Sequence, residues 1–179
     1  MKTINFCGDS FCKLTKNSDV AWTTLLASKL NANIIGYGKS GAAHEYAIKT
    51  FDSIADYTVF CWTEPHRLYH IKYPLSIGSA EADQHKHRIY GAANVYYKYL
   101  HNSNLAIERQ SRDLYWFDNV VLSKYKGLAI HIPCFSKIYK FTNHININTP
   151  LNQLRDNPDK SSVSKDIEPA NHMTKQQNS

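Results

Sequence analysis

A serine near the start of the chain and a histidine near its end are the residues best suited to do chemistry together. Ser10 closes a Gly8-Asp9-Ser10 turn behind the apolar run Ile4–Cys7, and His172 lies in the polar C-terminal stretch. In acyl transfer, a serine hydroxyl attacks a carbonyl carbon while a histidine within hydrogen-bond reach takes the proton. A serine at the carboxyl end of a strand can also offer its own backbone N–H to the oxyanion. The same tripeptide is typical of an ordinary β-turn, so the interpretation depends on the rest of the chain.

Two further polar loops follow apolar runs that predict strands. The glycine-rich turn Gly36–Ala43 follows a short run at Asn33–Ile35, and the loop Thr63–Arg67 follows the strongly apolar run Tyr57–Trp62. Ligands of open α/β sheets bind outside the carboxyl ends of the strands. We therefore expect both loops to converge on Ser10.

The order of the predicted elements indicates the fold class. Strands are predicted at residues 3–7, 33–35, 57–62 and 128–132, with 138–141 as either a further strand or a loop. Helices are predicted after a cap at Asn17 or Ser18, over 44–54, and as a pair between about 85 and 125, with an irregular stretch at 71–84 that Pro74 and Gly78 interrupt. Such alternation predicts a single-domain three-layer α/β/α sandwich, flavodoxin-like, with a mainly parallel sheet. The domain is expected to span residues 1–151, followed by a polar C-terminal segment, 152–179, that carries His172.

Composition narrows the function classes. The chain has 179 residues, 42% of them hydrophobic, and a net charge of +6, which suits one folded domain. Its Lys and Arg residues are scattered rather than clustered, so nucleic-acid binding is not predicted. No apolar run approaches the roughly 20 residues that span a bilayer. Without a signal segment or a membrane span, we expect a cytoplasmic protein.

Neither the cysteines nor the histidines form a recognisable metal motif. The four cysteines fit no zinc spacing, and they predict reduced, buried thiols. His66 with His70, and His85 with His87, have spacings that can bind a metal, but no carboxylate or cysteine partner stands out near them. We therefore predict no metal and no cofactor. An aromatic cluster between Tyr96 and Phe117 is interpreted as core or as an oligomer interface, and the oligomeric state is not predicted.

Two blocks of the sequence together resemble a known family. Gly8-Asp9-Ser10 and Lys39-Ser40-Gly41-Ala42, each behind a predicted strand, are similar to the first two blocks of the SGNH (GDSL-type) hydrolases, especially the small divergent members encoded by bacteriophages. The resemblance covers roughly residues 3–174. It implies an SGNH-type fold, a virus-encoded chain, Ser10 as nucleophile, and the N–H groups of Ser10 and Gly41 as oxyanion donors. It also implies a small-molecule or carbohydrate O-acyl ester as substrate.

The third block of the family departs from its usual form. An asparagine normally completes the oxyanion hole there, but Glu64 stands at that place, and a carboxylate repels an oxyanion. Either Thr63, His66 or Arg67 donates instead, or Glu64 and Arg67 form a structural ion pair. Thr63 is taken as the third oxyanion donor, with Asp9, Glu64 and Arg67 as further candidates for substrate contact.

The last block departs as well. The family has an aspartate three residues before the histidine, whereas Pro169 stands three residues before His172. Glu168 is the preferred partner of the imidazole, with Asp166 as the alternative; in some family members a backbone carbonyl takes this role, so that neither acid is needed.

Two other functions compete with a serine esterase. The departures from the family pattern are also compatible with a catalytically impaired binding or structural protein on the same scaffold. A flavodoxin-like domain that binds a nucleotide or anion at its glycine-bearing loops is the third alternative. Gly38-Lys39-Ser40 is only a partial phosphate-loop motif, because Asn33 stands where its first glycine belongs.

Overall fold

A computed structural model describes residues 1–14, 21–136 and 138–154. His172, Glu168 and Asp166 therefore lie outside the described residues, as do Asn17 and Ser18. Strands and helices alternate along most of the described chain. The strands are β1 (Lys2–Gly8), β2 (Ala32–Gly36), β3 (Tyr57–Trp62), β4 (Leu128–Pro133) and β5 (Ile145–Asn146). The helices are α1 (Trp22–Lys29), α2 (His44–Lys49), α3 (Ile77–Ala82), α4 (Arg88–Tyr99) and α5 (Ser103–Trp116).

The sheet has the order β2-β1-β3-β4-β5, and all of its strand pairs are parallel. This arrangement confirms the α/β prediction and is consistent with a three-layer, flavodoxin-like sandwich. Because the strands are parallel, the residues that follow β1, β2, β3 and β4 leave the sheet at one edge. That edge is called the carboxyl edge below.

Both faces of the sheet are covered, which explains why its central strands are mostly apolar on both faces. On one face, Ile4 and Phe6 of β1 pack with Trp22 and Leu26 of α1. On the other face, residues of β1 and β3 pack with helices α2 and α5 in a cluster that includes Cys7, Phe60, Trp62, Ala47 and Leu114. Within the described residues, no helix combines the length and the apolar character needed to cross a membrane.

Two predictions for the helices were wrong, and each has a local cause. Helix α2 ends at Lys49 rather than Ile54, because Phe51 turns inward onto the rings of Phe60 and Tyr125, at centroid distances of 5.8 and 5.1 Å. The stretch predicted to be irregular contains α3, which begins at a reciprocal cap between Ser76 and Ser79. Gly78, taken as a breaker, lies inside that helix.

The last strand was not predicted. Residues 138–141 form a loop, one of the two predicted alternatives, and the strand β5 lies further on, at Ile145–Asn146. The side chain of Asn146 accepts a hydrogen bond from the backbone N–H of Phe141 at 3.1 Å and donates one to its carbonyl at 2.9 Å. Asp118, which is fully buried, accepts hydrogen bonds from the backbone N–H groups of Thr142 and Asn143. These bonds hold the loop against the end of α5.

Candidate active site

The turn after β1 presents Ser10 at the carboxyl edge. Gly8 ends the strand with φ of +149°, and a Cβ there would lie 2.2 Å from the carbonyl oxygen of Cys61 on β3, so only glycine fits. Asp9 then caps a short 3-10 turn at Ser10–Cys12, its Oδ1 accepting a hydrogen bond from the N–H of Phe11 at 3.0 Å. Ser10 is half-buried, whereas Asp9, Phe11 and Cys12 are buried. Of this turn, Ser10 is therefore the residue that a ligand can reach.

The glycine-rich turn after β2 is hydrogen-bonded directly to the Ser10 turn. The backbone N–H of Lys39 donates to the carbonyl of Gly8, and that of Gly38 donates to the carbonyl of Cys12, both at 2.9 Å. Gly41 has φ of +68°, and a Cβ on it would lie 2.3 Å from Cβ of Pro74. The turn after β2 and the Ser10 turn therefore lie side by side at the carboxyl edge.

Arg67 joins the third loop to the other two. Its Nη1 lies 3.4 Å from Oδ2 of Asp9 and donates a hydrogen bond to the carbonyl of Ala42, also at 3.4 Å. Its Nε donates to Oε1 of Glu64 at 3.1 Å. The Glu64–Arg67 ion pair proposed from the sequence is thus present, but Arg67 also pairs with Asp9.

The ring of Phe135 packs on the guanidinium of Arg67. The ring of Phe135, just after β4, lies 5.2 Å from the guanidinium of Arg67, within the range of a cation–π contact. The same ring packs edge-on against Phe11 at 5.5 Å. Arg67 therefore contacts Asp9, the residue before Ser10, directly. It reaches Phe11, the residue after Ser10, through the ring of Phe135.

Asp9 is a buried carboxyl group in an unfavourable environment. Burial raises its pKa above the ordinary value, while Arg67, the N–H of Phe11, the thiol of Cys134 and the hydroxyl of Thr63 lower it without cancelling the effect of burial. The Cys134 thiol donates to Oδ1 at 3.5 Å, and Oδ2 makes no hydrogen bond within the described residues. With 0% of Asp9 exposed, the geometry favours a positioning role over the predicted substrate contact.

Thr63 is a poor candidate for the third oxyanion donor. It is 2% exposed, and its buried hydroxyl lies near the carboxyl group of Asp9 without a well-formed hydrogen bond to any described residue. Its carbonyl accepts a hydrogen bond from the side chain of Gln110 at 2.9 Å, which anchors the loop to α5. Thr63 faces the protein interior, so its side chain is not accessible to a ligand.

A pocket of about 480 Å³ opens beside the third loop. It is lined by the loop itself, by α5 and by the segment after β4, including Glu64, His66, Gln110, Phe135 and Tyr139. Glu64 keeps 38% of its side chain exposed, so it can contact a ligand there, in line with its predicted role. Ser10 is not among the described residues that line this pocket; the ring of Phe135, which does line it, packs on Phe11 of the Ser10 turn.

Sequence reasoning missed a cluster of ionisable side chains around a buried histidine. His44, at the start of α2, is 1% exposed and lies between two carboxylates: its Nδ1 is 3.3 Å from Glu45 and its Nε2 is 3.0 Å from Asp113. The three side chains are close enough to share a metal ion, but Arg109 and Arg112 lie 3.7 and 3.8 Å from the same carboxylates and oppose a further cation. Because both ring nitrogens face carboxylates, His44 is not a candidate base for Ser10.

The partial phosphate-loop motif is used differently. Lys39 turns away from its own loop, and its Nζ donates to the carbonyl of Ile71 at 2.7 Å. In phosphate-binding loops the lysine reaches the phosphates instead. The geometry of Lys39 therefore does not favour the nucleotide-binding alternative.

The described chain ends close to the Ser10 turn. Leu151 is buried in the core, and the backbone N–H of Asn152 donates to the carbonyl of Cys134 at 2.9 Å. The thiol of that cysteine touches Asp9. An extended chain spans up to about 3.5 Å per residue, so the length of chain between Asn152 and His172 does not prevent the histidine from reaching Ser10.

No protein-family model, curated protein or solved structure matches this chain.

Proposed function

We propose that the protein is a serine hydrolase that cleaves a carboxylic O-acyl ester through an acyl-enzyme on Ser10. The observation that carries this proposal is the position of Ser10: half-exposed at the carboxyl end of β1, in a turn that is hydrogen-bonded to the Gly41 loop and pinned through Asp9 to Arg67. The similarity of the Gly8-Asp9-Ser10 block to SGNH hydrolases supports the same function. His172 is the proposed base, and Glu168 its proposed orienting partner.

The reaction requires two transfers of the same acyl group. The Ser10 oxygen bonds to the ester carbonyl carbon while its proton passes to the imidazole of His172. The tetrahedral oxyanion is held by N–H donors from Ser10 and Gly41, and its collapse expels the alcohol, which leaves with the proton from His172. Water, deprotonated by the same imidazole, then attacks the acyl-enzyme, and the carboxylic acid departs as the Ser10 hydroxyl is restored.

The substrate we propose is an ester of a small molecule or a carbohydrate. The pocket lined by Glu64 and Phe135 offers an acidic group and an aromatic surface, and the ring of Phe135 packs on Phe11 of the Ser10 turn. Its lining mixes polar side chains such as Gln110 with apolar ones such as Ile107, and polar groups set among apolar ones orient a small molecule in its site. Nothing in the lining selects one acyl group over another.

The test is covalent labelling of the folded protein. A fluorophosphonate probe should label the peptide that contains Ser10, and p-nitrophenyl acetate should be hydrolysed. Ser10→Ala should abolish both signals, and His172→Gln should lower turnover by at least 10²-fold, the usual contribution of a general base. Ser53→Ala, a change in an exposed turn, is the matched control and should leave both signals intact. A folded wild-type protein with neither labelling nor turnover would overturn the proposal in favour of a binding protein.

A further inference from the structure

The oxyanion site needs a donor on the third loop, and the guanidinium of Arg67 occupies the place where the loops meet. It contacts Asp9, which precedes Ser10, and the carbonyl of Ala42, which follows Gly41. The two predicted oxyanion donors are therefore each adjacent in the chain to a residue that Arg67 touches. Among the described side chains of the third loop, Arg67 alone bridges both turns.

The hydrogen bonds of Arg67 leave one nitrogen for a ligand. Nε donates to Glu64, and Nη1 donates to Ala42 and lies beside Asp9. Nη2 makes no hydrogen bond to any described residue. The side chain is not sealed off, since 9% of it remains exposed. A planar guanidinium held through two of its nitrogens directs the third along a fixed line.

The neighbours of Arg67 also explain why it can be held there at all. A buried cation is costly unless it is paired and hydrogen-bonded, and Asp9, with 0% of its side chain exposed, supplies a partner on one side. Glu64 supplies a second, partly exposed partner, and Phe135 covers the guanidinium. These groups fix the orientation of the cation before any substrate arrives, which is the condition for effective electrostatic stabilisation of a transition state.

We infer that Arg67 is a catalytic residue whose Nη2 donates to the developing oxyanion, in the place where Glu64 rules out an amide side chain. This inference rests on the proposed esterase function and adds to it a cationic donor beside the N–H groups of Ser10 and Gly41. Asp9 and Glu64 are then positioning residues, which act by holding the guanidinium.

Two substitutions at position 67 test the inference, with acetyl-ester turnover and the affinity for phenylboronic acid as readouts. Arg67→Lys keeps a positive charge but loses the fork, and Arg67→Met keeps length without charge. Both should lower kcat by about 10²- to 10³-fold, the loss typical of one missing oxyanion donor, with little change in KM. Phenylboronic acid forms a tetrahedral adduct on an active serine, so its inhibition constant should rise in parallel with the fall in kcat/KM.

Arg109→Lys is the comparison variant for a merely structural role. Arg109 donates to the carbonyls of Pro65 and Arg67 and so supports the same loop. If Arg109→Lys lost as much kcat as Arg67→Lys, or if phenylboronic acid bound the Arg67 variants as tightly as the wild type, Arg67 would be support for the loop and the inference would be wrong. Loss of the proposed function would show differently, because wild-type Ser10 would then fail to react with a fluorophosphonate.

Discussion

The close approach of β1 and β3 at Gly8 makes a sharp prediction for the Gly8→Ala variant. An added Cβ would lie 2.2 Å from the carbonyl oxygen of Cys61 and 2.9 Å from its carbonyl carbon. Both atoms belong to the backbone of a central strand, so no side-chain rotation can relieve the contact. The backbone φ of +149° adds strain for any residue with a side chain.

The expected cost follows from these two effects. A non-glycine residue held in a sparsely populated backbone region costs about 1–3 kcal/mol, and overpacking of a filled interior costs about 1–3 kcal/mol more. Gly8→Ala should therefore lower the free energy of unfolding by about 2–6 kcal/mol. For a chain of this size, each kcal/mol corresponds to roughly 2–4 °C in Tm.

Gly78→Ala is the matched control, because the same methyl group is added at a site with nothing within 4 Å. Gly78 lies inside helix α3, where alanine is favoured over glycine by about 0.5–1 kcal/mol. This variant should therefore be slightly more stable than the wild type.

Urea unfolding followed by circular dichroism measures both variants against the wild type. A midpoint for Gly8→Ala at or above that of the wild type would refute the reasoning. It would mean that β1 and β3 do not approach each other as described and that the turn presenting Ser10 is built differently.

Two other predictions concern buried titratable groups. His131 is 1% exposed and accepts a hydrogen bond at Nδ1 from the indole N–H of Trp62, and burial lowers its pKa to about 3. This folded-state pKa lies below the usual 6.5, so the unfolded chain takes up a proton first as the pH falls. The free energy of unfolding is therefore highest above pH 6.5 and falls by up to about 1.4 kcal/mol per pH unit between 6.5 and 3. His131→Gln should flatten that slope in urea unfolding measured from pH 7 to 4.5, and an unchanged slope would contradict the assignment. All four cysteines are buried free thiols, and burial raises the pKa of Cys134 to about 12. A thiol-reactive disulfide reagent at pH 8 should therefore modify these cysteines only as fast as the protein unfolds locally. Rapid modification without urea would contradict this prediction, because it would show that the buried thiols are accessible.

Most of the sheet could be predicted from local patterns. The runs at Tyr57–Trp62 and Leu128–Ile132 place apolar residues on both faces of the strand, a pattern typical of a strand that is covered on both sides. Both strands lie where they were expected. The turns after β1 and β2 were also found, because glycine marks the positions where the chain must adopt a positive φ. Two elements were missed, the two-residue strand β5 and the short helix α3, which begins at a serine cap and has a glycine inside it.

The site was predicted less completely, because its contacts join distant parts of the chain. Glu64 and Arg67 are three residues apart, and their pairing was foreseen as one alternative. The pairing of Arg67 with Asp9 joins the loop after β3 to the turn after β1, and the pairing of His44 with Asp113 joins α2 to α5. No local pattern contains either pair.

The amino-acid sequence by itself determined where the first four strands lie and which turns need glycine, since these depend on side-chain hydrophobicity and backbone sterics over a few residues. It also singled out Ser10. Only the tertiary structure decided which polar groups would be withdrawn from water, because that depends on how the strands are ordered and where the helices pack. It buried Asp9 and Thr63, left Ser10 accessible, and placed the guanidinium of Arg67 between two turns that lie far from it in the chain.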